Sequence, residues 1–332
     1  MTIVVTGSAG RIGSKVVQAL LDRGERVAGF DLRPLGLAHQ NYREVVGPFD
    51  DRDAARRALE GATAVLHLGA FMSWLAADAD KLHRANVDGT RIILEAAAAA
   101  KVGRIVFASS GEVYPENVPD YQPIDENHPL KPRSPYGLTK LLGEDLVRFT
   151  ERTAGIPSVI LRFSHTQDAR ELLDPGSFFS GPRFFLHPKI RQQEAFGNSA
   201  AVEALKRVDD GREALVLSRN ENGRPFKMHI TDTRDMVAGI LLGLDHDKAV
   251  GEAFNLGATD PVDFADALPQ MAAVTGLPLH TVDLPGAGVY YHTSNGKIRD
   301  LLGYRPTWTI DRMIGEAAQA WTKTGAWTKT RA

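Results

Sequence analysis

"TGSAGRIG" occupies residues 6–13, directly after the apolar run "IVVT" at residues 3–6. Ile12, Val16 and Leu20 then recur at helical spacing, so the stretch reads as strand, tight turn and helix. Gly7, Gly10 and Gly13 let the backbone reverse sharply and come close to a pyrophosphate at the positive end of the helix. A glycine-rich turn by itself also serves plain chain reversal. The next apolar run, "RVAGFD", ends in Asp31, and the interval from Gly13 to Asp31 suits a carboxylate that meets an adenosine ribose. Such a carboxylate accepts hydrogen bonds from the ribose hydroxyls and repels a 2′-phosphate, which favours NAD over NADP. Arg33 leaves NADP open, and a solvated charge at a strand end is the plain alternative for Asp31.

Outward from that turn, the chain alternates. "AVLHLGA" at 64–70 and "RIVFASS" at 104–110 are continuous apolar runs, typical of strands covered on both faces. Residues 78–100 between them read as helix. "SPYGLTKLLGEDLVRFTERTAG" has a cap at Ser134, proline at the first helical position and a stop at Gly155. "SVILRF" at 158–163 is a further buried strand. This rhythm predicts an α/β fold with a doubly wound parallel Rossmann sheet. Past Phe163 the rhythm breaks into "DPGSFFSGPRFFLHPKI", rich in proline, glycine and aromatics. A helix near Thr231 and the strand "EAFNLG" then return to the sheet. The expected division is a dinucleotide-binding domain over 1–163, rejoined by 229–257, and a smaller, sequence-interleaved substrate lobe over 164–228 and 258–332.

The bulk composition excludes several classes of protein. The 332 residues are 43% hydrophobic and 24% charged with a net charge of −2, so no basic face advertises nucleic acid or a membrane surface. There is no cysteine, hence no disulfide, thiolate nucleophile or cysteine-bound metal. His165, His187, His229 and His292 lack metal-ligand spacing, and no metal is expected. No run is long enough to span a bilayer, and the chain opens on an apolar strand without a charged leader. A cytoplasmic protein is expected.

Tyr136 and Lys140 in "YGLTK" stand one helical turn apart, which any surface helix could also show. Their surroundings decide the reading. "TGSAGRIG", Asp31, "VLHLGA" at 65–70, Asn86 in "ANVDGT", "FASSGEVY" at 107–114 and "YGLTK" come in one order, followed by "HITDTRDMVAGI", "GEAFNLG" and "LLGYRP". In these the chain resembles the extended short-chain dehydrogenase/reductase family, the NAD-dependent epimerase/dehydratase group. The resemblance implies NAD held by Gly7, Gly10, Arg11, Ile12, Gly13, Asp31, Leu68, Gly69, Ala70, Asn86, Tyr136 and Lys140. For Asn86, a buried residue that merely satisfies backbone groups is the competing reading. The resemblance also implies that Tyr136 is the acid/base, that Lys140 lowers its pKa and holds the nicotinamide ribose, and that Ser110, rather than Ser109, hydrogen-bonds the substrate oxygen. Relatives pair through the helix before the serine strand and the helix carrying the tyrosine, so a homodimer is implied.

The substrate is a carbohydrate by the same resemblance, with Ser110, Gly111, Glu112, His165, Arg183 and His187 expected around it. Departures from the family pattern narrow the choice. Family dehydratases carry an aspartate before the glutamate, whereas this chain has Gly111 before Glu112, which argues against a 4,6-dehydratase and leaves Glu112 to bind sugar hydroxyls. His165 and Thr166 replace an asparagine that helps hold a diphosphate. Pro225 replaces a phosphate-binding arginine, with Arg224 one step away, and Pro48 replaces an adenine-reading aspartate. Together these weaken a diphosphate-linked substrate. Arg183, His187, Lys189 and Arg191 among aromatics suit an anionic or polyhydroxylated ligand, or else form a lid with solvated charges. Three functions stay open: an epimerase-type carbohydrate oxidoreductase with a transient ketone, a net dehydrogenase of a free sugar or sugar acid, and a catalytically idle NAD-binding regulator. Intact Ser110, Tyr136 and Lys140 argue against the last.

Overall fold

The computed structural model describes residues 2–324. Its first half is built from β1 (Thr2–Thr6), α1 (Gly13–Asp22), β2 (Arg26–Asp31), β3 (Tyr42–Val46), α2 (Arg52–Leu59), β4 (Ala64–His67), α3 (Ala79–His83), α4 (Gly89–Ala100), β5 (Arg104–Ser110), α5 (Pro135–Ala154) and β6 (Ser158–Phe163). Then come β7 (His165–Gln167), α6 (Ser180–Phe184), α7 (Leu186–Ala195), α8 (Ser199–Lys206), β8 (Leu215–Arg219), β9 (Lys227–Met228), β10 (Ile230–Asp232), α9 (Thr233–Asp245), β11 (Ala253–Leu256), β12 (Val262–Asp263), α10 (Phe264–Thr275), β13 (Leu279–Asp283), α11 (Gly296–Leu302) and α12 (Ile310–Thr324).

Seven strands form one parallel sheet in the order β3-β2-β1-β4-β5-β6-β11. The order in which strands are added switches sides between β1 and β4, and in an open α/β sheet the crevice at the carboxyl ends of such strands is where ligands bind. Both faces are covered. One packs Val4, Phe30, Val65, Ile105 and Phe107 against α2, α4 and α5. The other packs Val5, Leu66, Val106, Val159 and Leu161 against α1 and α9. This double covering is why the strands read as unbroken apolar runs.

The second lobe has its own core around Tyr114, Phe184, Phe185, Phe264 and Met313, and small paired strands, β8 with β13 and β7 with β10. Two boundaries differ from the sequence reading. Residues 296–304, expected in the substrate lobe, pack on the sheet instead, where Ile298, Leu302 and Tyr304 join Phe254 and Leu161. Their apolar spacing on a short helix does not reveal which core they enter. β10, expected with the returning segment, pairs with β7 rather than joining the large sheet. The last residues of the expected lobe, 325–332, lie outside the described residues. Among the described residues no helix is long and apolar enough to cross a membrane.

Candidate active site

A cleft of about 620 Å³ runs over the carboxyl ends of the central strands. At one end the β1–α1 turn forms its floor. Gly7 has φ +70°, and its N–H bonds Phe30 O at 2.8 Å. A Cβ on Gly13 would lie 2.0 Å from Gly7 O, and one on Gly7 would lie 2.6 Å from Gly69 Cα, so side chains are shut out where backbone must approach a ligand. No side chain caps the first turn of α1, which leaves its N-terminus to an anion. Asp31 Oδ2 accepts from Ala9 N and Oδ1 from Arg33 N, both at 3.1 Å, fixing the carboxylate at the rim. Gly10, Arg11, Ile12, Leu68 and Ala70 line the same cleft. This cradle fits a dinucleotide.

At the other end stand Ser110, Tyr136 and Lys140. Ser134 caps α5, its Oγ accepting from Gly137 N at 2.9 Å, and Pro135 occupies the first turn. Tyr136 therefore sits at the helix start and Lys140 one turn deeper. Gly137 explains the second letter of "YGLTK": a Cβ there would lie 2.2 Å from Glu112 O. Only glycine lets the helix come that close to the turn after β5. Ser109 Oγ is spent on Glu144 Oε1 at 2.6 Å, whereas Ser110 Oγ accepts only from Glu112 N, leaving its proton for a ligand.

Electrostatics here differ from expectation at one point. Lys140 Nζ donates to Ala108 O at 2.8 Å and lies 5.7 Å from the centroid of the Tyr136 ring. Burial lowers the Lys140 ammonium to about 7. The Tyr136 phenol, expected to be lowered by this neighbour, is held above its ordinary value, first by burial and then by Glu112. Desolvation of a phenolate in an enclosed pocket outweighs the influence of an ammonium committed to a carbonyl.

Glu112 is clamped. Trp74 Nε1 donates to Oε1 at 2.9 Å and Ser134 Oγ to Oε2 at 2.5 Å, while burial pushes the carboxyl up. Trp74 stacks on Phe178 at 6.3 Å between centroids and lies 6.5 Å from Tyr136, roofing the reactive end. Glu116, Trp74, Phe178 and Phe179 line the cleft and escaped the sequence reading. Glu116 and Trp74 sit in loops without periodicity, so no local signal marks them.

Four expected residues lie elsewhere. Asn86 does not line the cleft. It sits in a π-helical turn, Arg84–Asp88, accepts from Phe71 N at 2.7 Å and donates to Phe71 O and to Thr139 Oγ1. Every bonding position points at protein, so it positions the Ala70–Phe71 loop against the helix of Tyr136. His187 is outside the cleft, held between Asp209 and Glu213. Gly111 lines a small adjoining void rather than the cleft itself, and Arg183 stands one layer behind the wall, bonded to His165, which does line it.

The parallel seven-stranded sheet, glycine cradle and serine, tyrosine and lysine at one cleft define a dinucleotide-binding oxidoreductase of the Rossmann class. The chain belongs to the NAD dependent epimerase/dehydratase family, whose family model matches residues 3–257. A short-chain dehydrogenase/reductase superfamily protein from Agrobacterium tumefaciens, solved with bound NAD, is 62% identical, with 97% of this chain and 98% of that one covered and a TM-score of 0.93. The dTDP-glucose 4,6-dehydratase of Streptomyces niveus is 27% identical over 348 residues, 98% of this chain and 94% of the relative. The UDP-glucose 4-epimerase of Streptococcus mutans is 28% identical over 341 residues, 97% and 96% respectively. The cofactor is NAD.

Proposed function

We propose that the protein oxidises a secondary hydroxyl of a carbohydrate to a ketone, with Tyr136 as acid/base, Ser110 as the hydrogen-bond partner of the same oxygen and Lys140 as the cation beneath them. The observation that carries this reading is that all three line one cleft with the glycine turn and Asp31. Bound NAD supplies the hydride acceptor. Tyr136 takes the hydroxyl proton as it passes its own phenolic proton on toward the neutral form of Lys140, whose ammonium burial lowers to about 7. Ser110 holds the substrate oxygen. Trp74 and Phe178 exclude water from the reacting carbon. In the epimerase form the ketone is transient and NAD is regenerated; in the dehydrogenase form ketone and NADH leave. The relatives named as epimerase and dehydratase support the first. The departures at His165, Pro225 and Pro48 from the family's phosphate- and adenine-binding pattern support the second.

Incubation with excess NAD and a panel of free, acidic and nucleotide-linked sugars tests the reading. Growth of absorbance at 340 nm marks the dehydrogenase, and isomer formation without it marks the epimerase. Neither product from any sugar would count against both and favour an idle NAD-binding regulator. Tyr136→Phe should lower kcat by about 10²–10⁴-fold with little change in NAD affinity, and retained turnover would remove Tyr136 from its role. We also propose a cytoplasmic homodimer joined through α4 and α5, a reading supported by Leu138 and Phe149, 50% and 56% exposed along α5.

A further inference from the structure

Two arginines beside the cleft, Arg162 buried and Arg183 half-buried, are held in opposite ways. Arg162 gives Nε and Nη2 to Glu144 and Nη1 to the Tyr114 hydroxyl, so its charge is compensated inside the fold. Arg183 has no carboxylate partner. Nη2 donates to His165 Nδ1 at 3.2 Å, while Nη1 is shielded from water and meets no acceptor. Its first electrostatic neighbour is the Tyr291 hydroxyl, which favours its charge, and the Phe179 and Phe184 rings lie 5.9 Å from its guanidinium; Arg11 repeats its sign, and so does Lys189, which is 5% exposed and forms no ion pair among the described residues. A half-buried cation with one nitrogen sealed from water and no carboxylate partner among the described residues is costly, and a site that keeps one is prepared for an anion.

The direction of the Arg183–His165 bond fixes the histidine. A guanidinium has only donors, so Nδ1 must accept and the ring proton must be on Nε2. A second ring proton would point at a guanidinium N–H, and burial together with Arg183 holds His165 well below its ordinary value. His165 is therefore a permanent donor and never a base. It lines the cleft, and its Nε2 has no protein partner among the described residues. Tyr291 stands beside it, ring centroids 6.3 Å apart, 1% exposed and with an unpartnered hydroxyl. Between the cleft and Tyr291 is a void of about 10 Å³ bordered by Glu116 and Ser164. Glu116 borders both spaces, has no hydrogen-bond partner among the described residues, and is held well above its ordinary value by burial and Glu112.

Size narrows the ligand. The cleft of about 620 Å³ has to take the dinucleotide as well as the substrate, and its lining residues all fall between Gly7 and Phe179. Arg224, the cation nearest to Pro225 in sequence, stacks on Tyr290 at 4.0 Å and donates to Ala287 O, so it is committed elsewhere.

We propose that His165, backed by Arg183 and flanked by Tyr291, is a carboxylate-binding subsite, and that the substrate is a small sugar acid carrying no nucleotide. Its carboxylate receives the Nε2–H of His165, and its hydroxyls meet Glu112 and Glu116. This rests on the oxidoreductase reading above and adds the substrate class.

The test is calorimetric titration of the Tyr136→Phe protein saturated with NAD, so that binding is read without turnover. The probes are D-glucuronate, D-galacturonate and D-gluconate, their neutral parents D-glucose and D-galactose, and UDP-glucose. At least one acid should bind about tenfold or more tighter than its neutral parent. Arg183→Met should remove that preference with NAD affinity intact, and Arg183→Lys should restore part of it. His165→Leu, which leaves the arginine in place, should also remove it and serves if Arg183→Met fails to fold. Tightest binding of UDP-glucose, equal binding of acids and neutral sugars, or a preference that survives both variants would overturn the subsite. The two readings fail separately. Oxidation of a neutral or nucleotide-linked sugar by the unaltered protein, without acid preference, removes the subsite and leaves the oxidoreductase. Tight acid binding with no NADH and no isomer does the reverse.

Discussion

Tyr136 and Lys140 illustrate how burial and partnership compete at a single residue. Sequence spacing alone suggests that the ammonium makes the phenol acidic, yet both groups are driven toward neutrality by removal from water. Lys189 shows the same effect away from the reacting end: burial, helped by Arg183, brings its ammonium down to about 8. The sign of the linkage follows. Between about pH 8 and 10.5 the unfolded chain keeps a proton that the folded lysine has lost, so stability rises with pH across that window by up to about 1.4 kcal/mol per pH unit. Below it, both states are protonated and the cost of burial is borne in full. Lys189→Met removes that cost. Urea unfolding of the two proteins should give a stability difference in favour of the variant that is largest at pH 7 and shrinks toward pH 10. A difference independent of pH would show that Lys189 titrates normally.

At the scale of an element, α5 is placed by small residues rather than large ones. Gly137 allows contact with the Glu112 carbonyl, Ser134 ties the helix start to the Glu112 side chain, and Thr139 receives the Asn86 amide. Behind them a buried chain of hydrogen bonds, Thr6 to His67 to Thr90 to the Asn86 carbonyl, joins β1, β4 and α4 to the same helix. Burial lowers His67 to about 3, so this chain stays neutral at any working pH. Gly137→Ala should therefore push the helix from the turn after β5, lowering stability by about 1–3 kcal/mol and turnover with it. Chemical denaturation and initial rates measure both. Unchanged values would mean that the contact at Gly137 yields without moving Tyr136.

For the molecule as a whole, the cleft is closed by pairs that join the two lobes. Arg11, at the glycine turn, pairs with Glu171, and Lys15 reaches Asp168 at 2.8 Å. The segment after Phe163, which lacks periodicity, is thus fastened across the cofactor end by charges on α1. The proposed dimer belongs to this scale too. Phe149→Glu together with Leu138→Glu should turn a dimer into a monomer by light scattering while NAD binding persists, and an unaltered mass would place the interface elsewhere.

The alternation that makes a parallel sheet, the glycine turn, and the places of Asp31, Ser110, Tyr136 and Lys140 on their strands and helix were legible in the chain, because each depends on local geometry: a turn only glycine can make, a helix cap, a buried strand, a one-turn spacing. For Asn86 two readings stayed open, and His187 was expected at the ligand, because a polar side chain in a helix has the same local signature whether it faces a ligand, a loop carbonyl or a neighbouring carboxylate. The entry of residues 296–304 into the sheet core, the clamping of Glu112 by Trp74 and the pairing of Arg183 with His165 were likewise decided only by tertiary structure. Each joins residues far apart in the chain, and which polar group finds a partner, and which is left over for a ligand, depends on packing that no local pattern encodes.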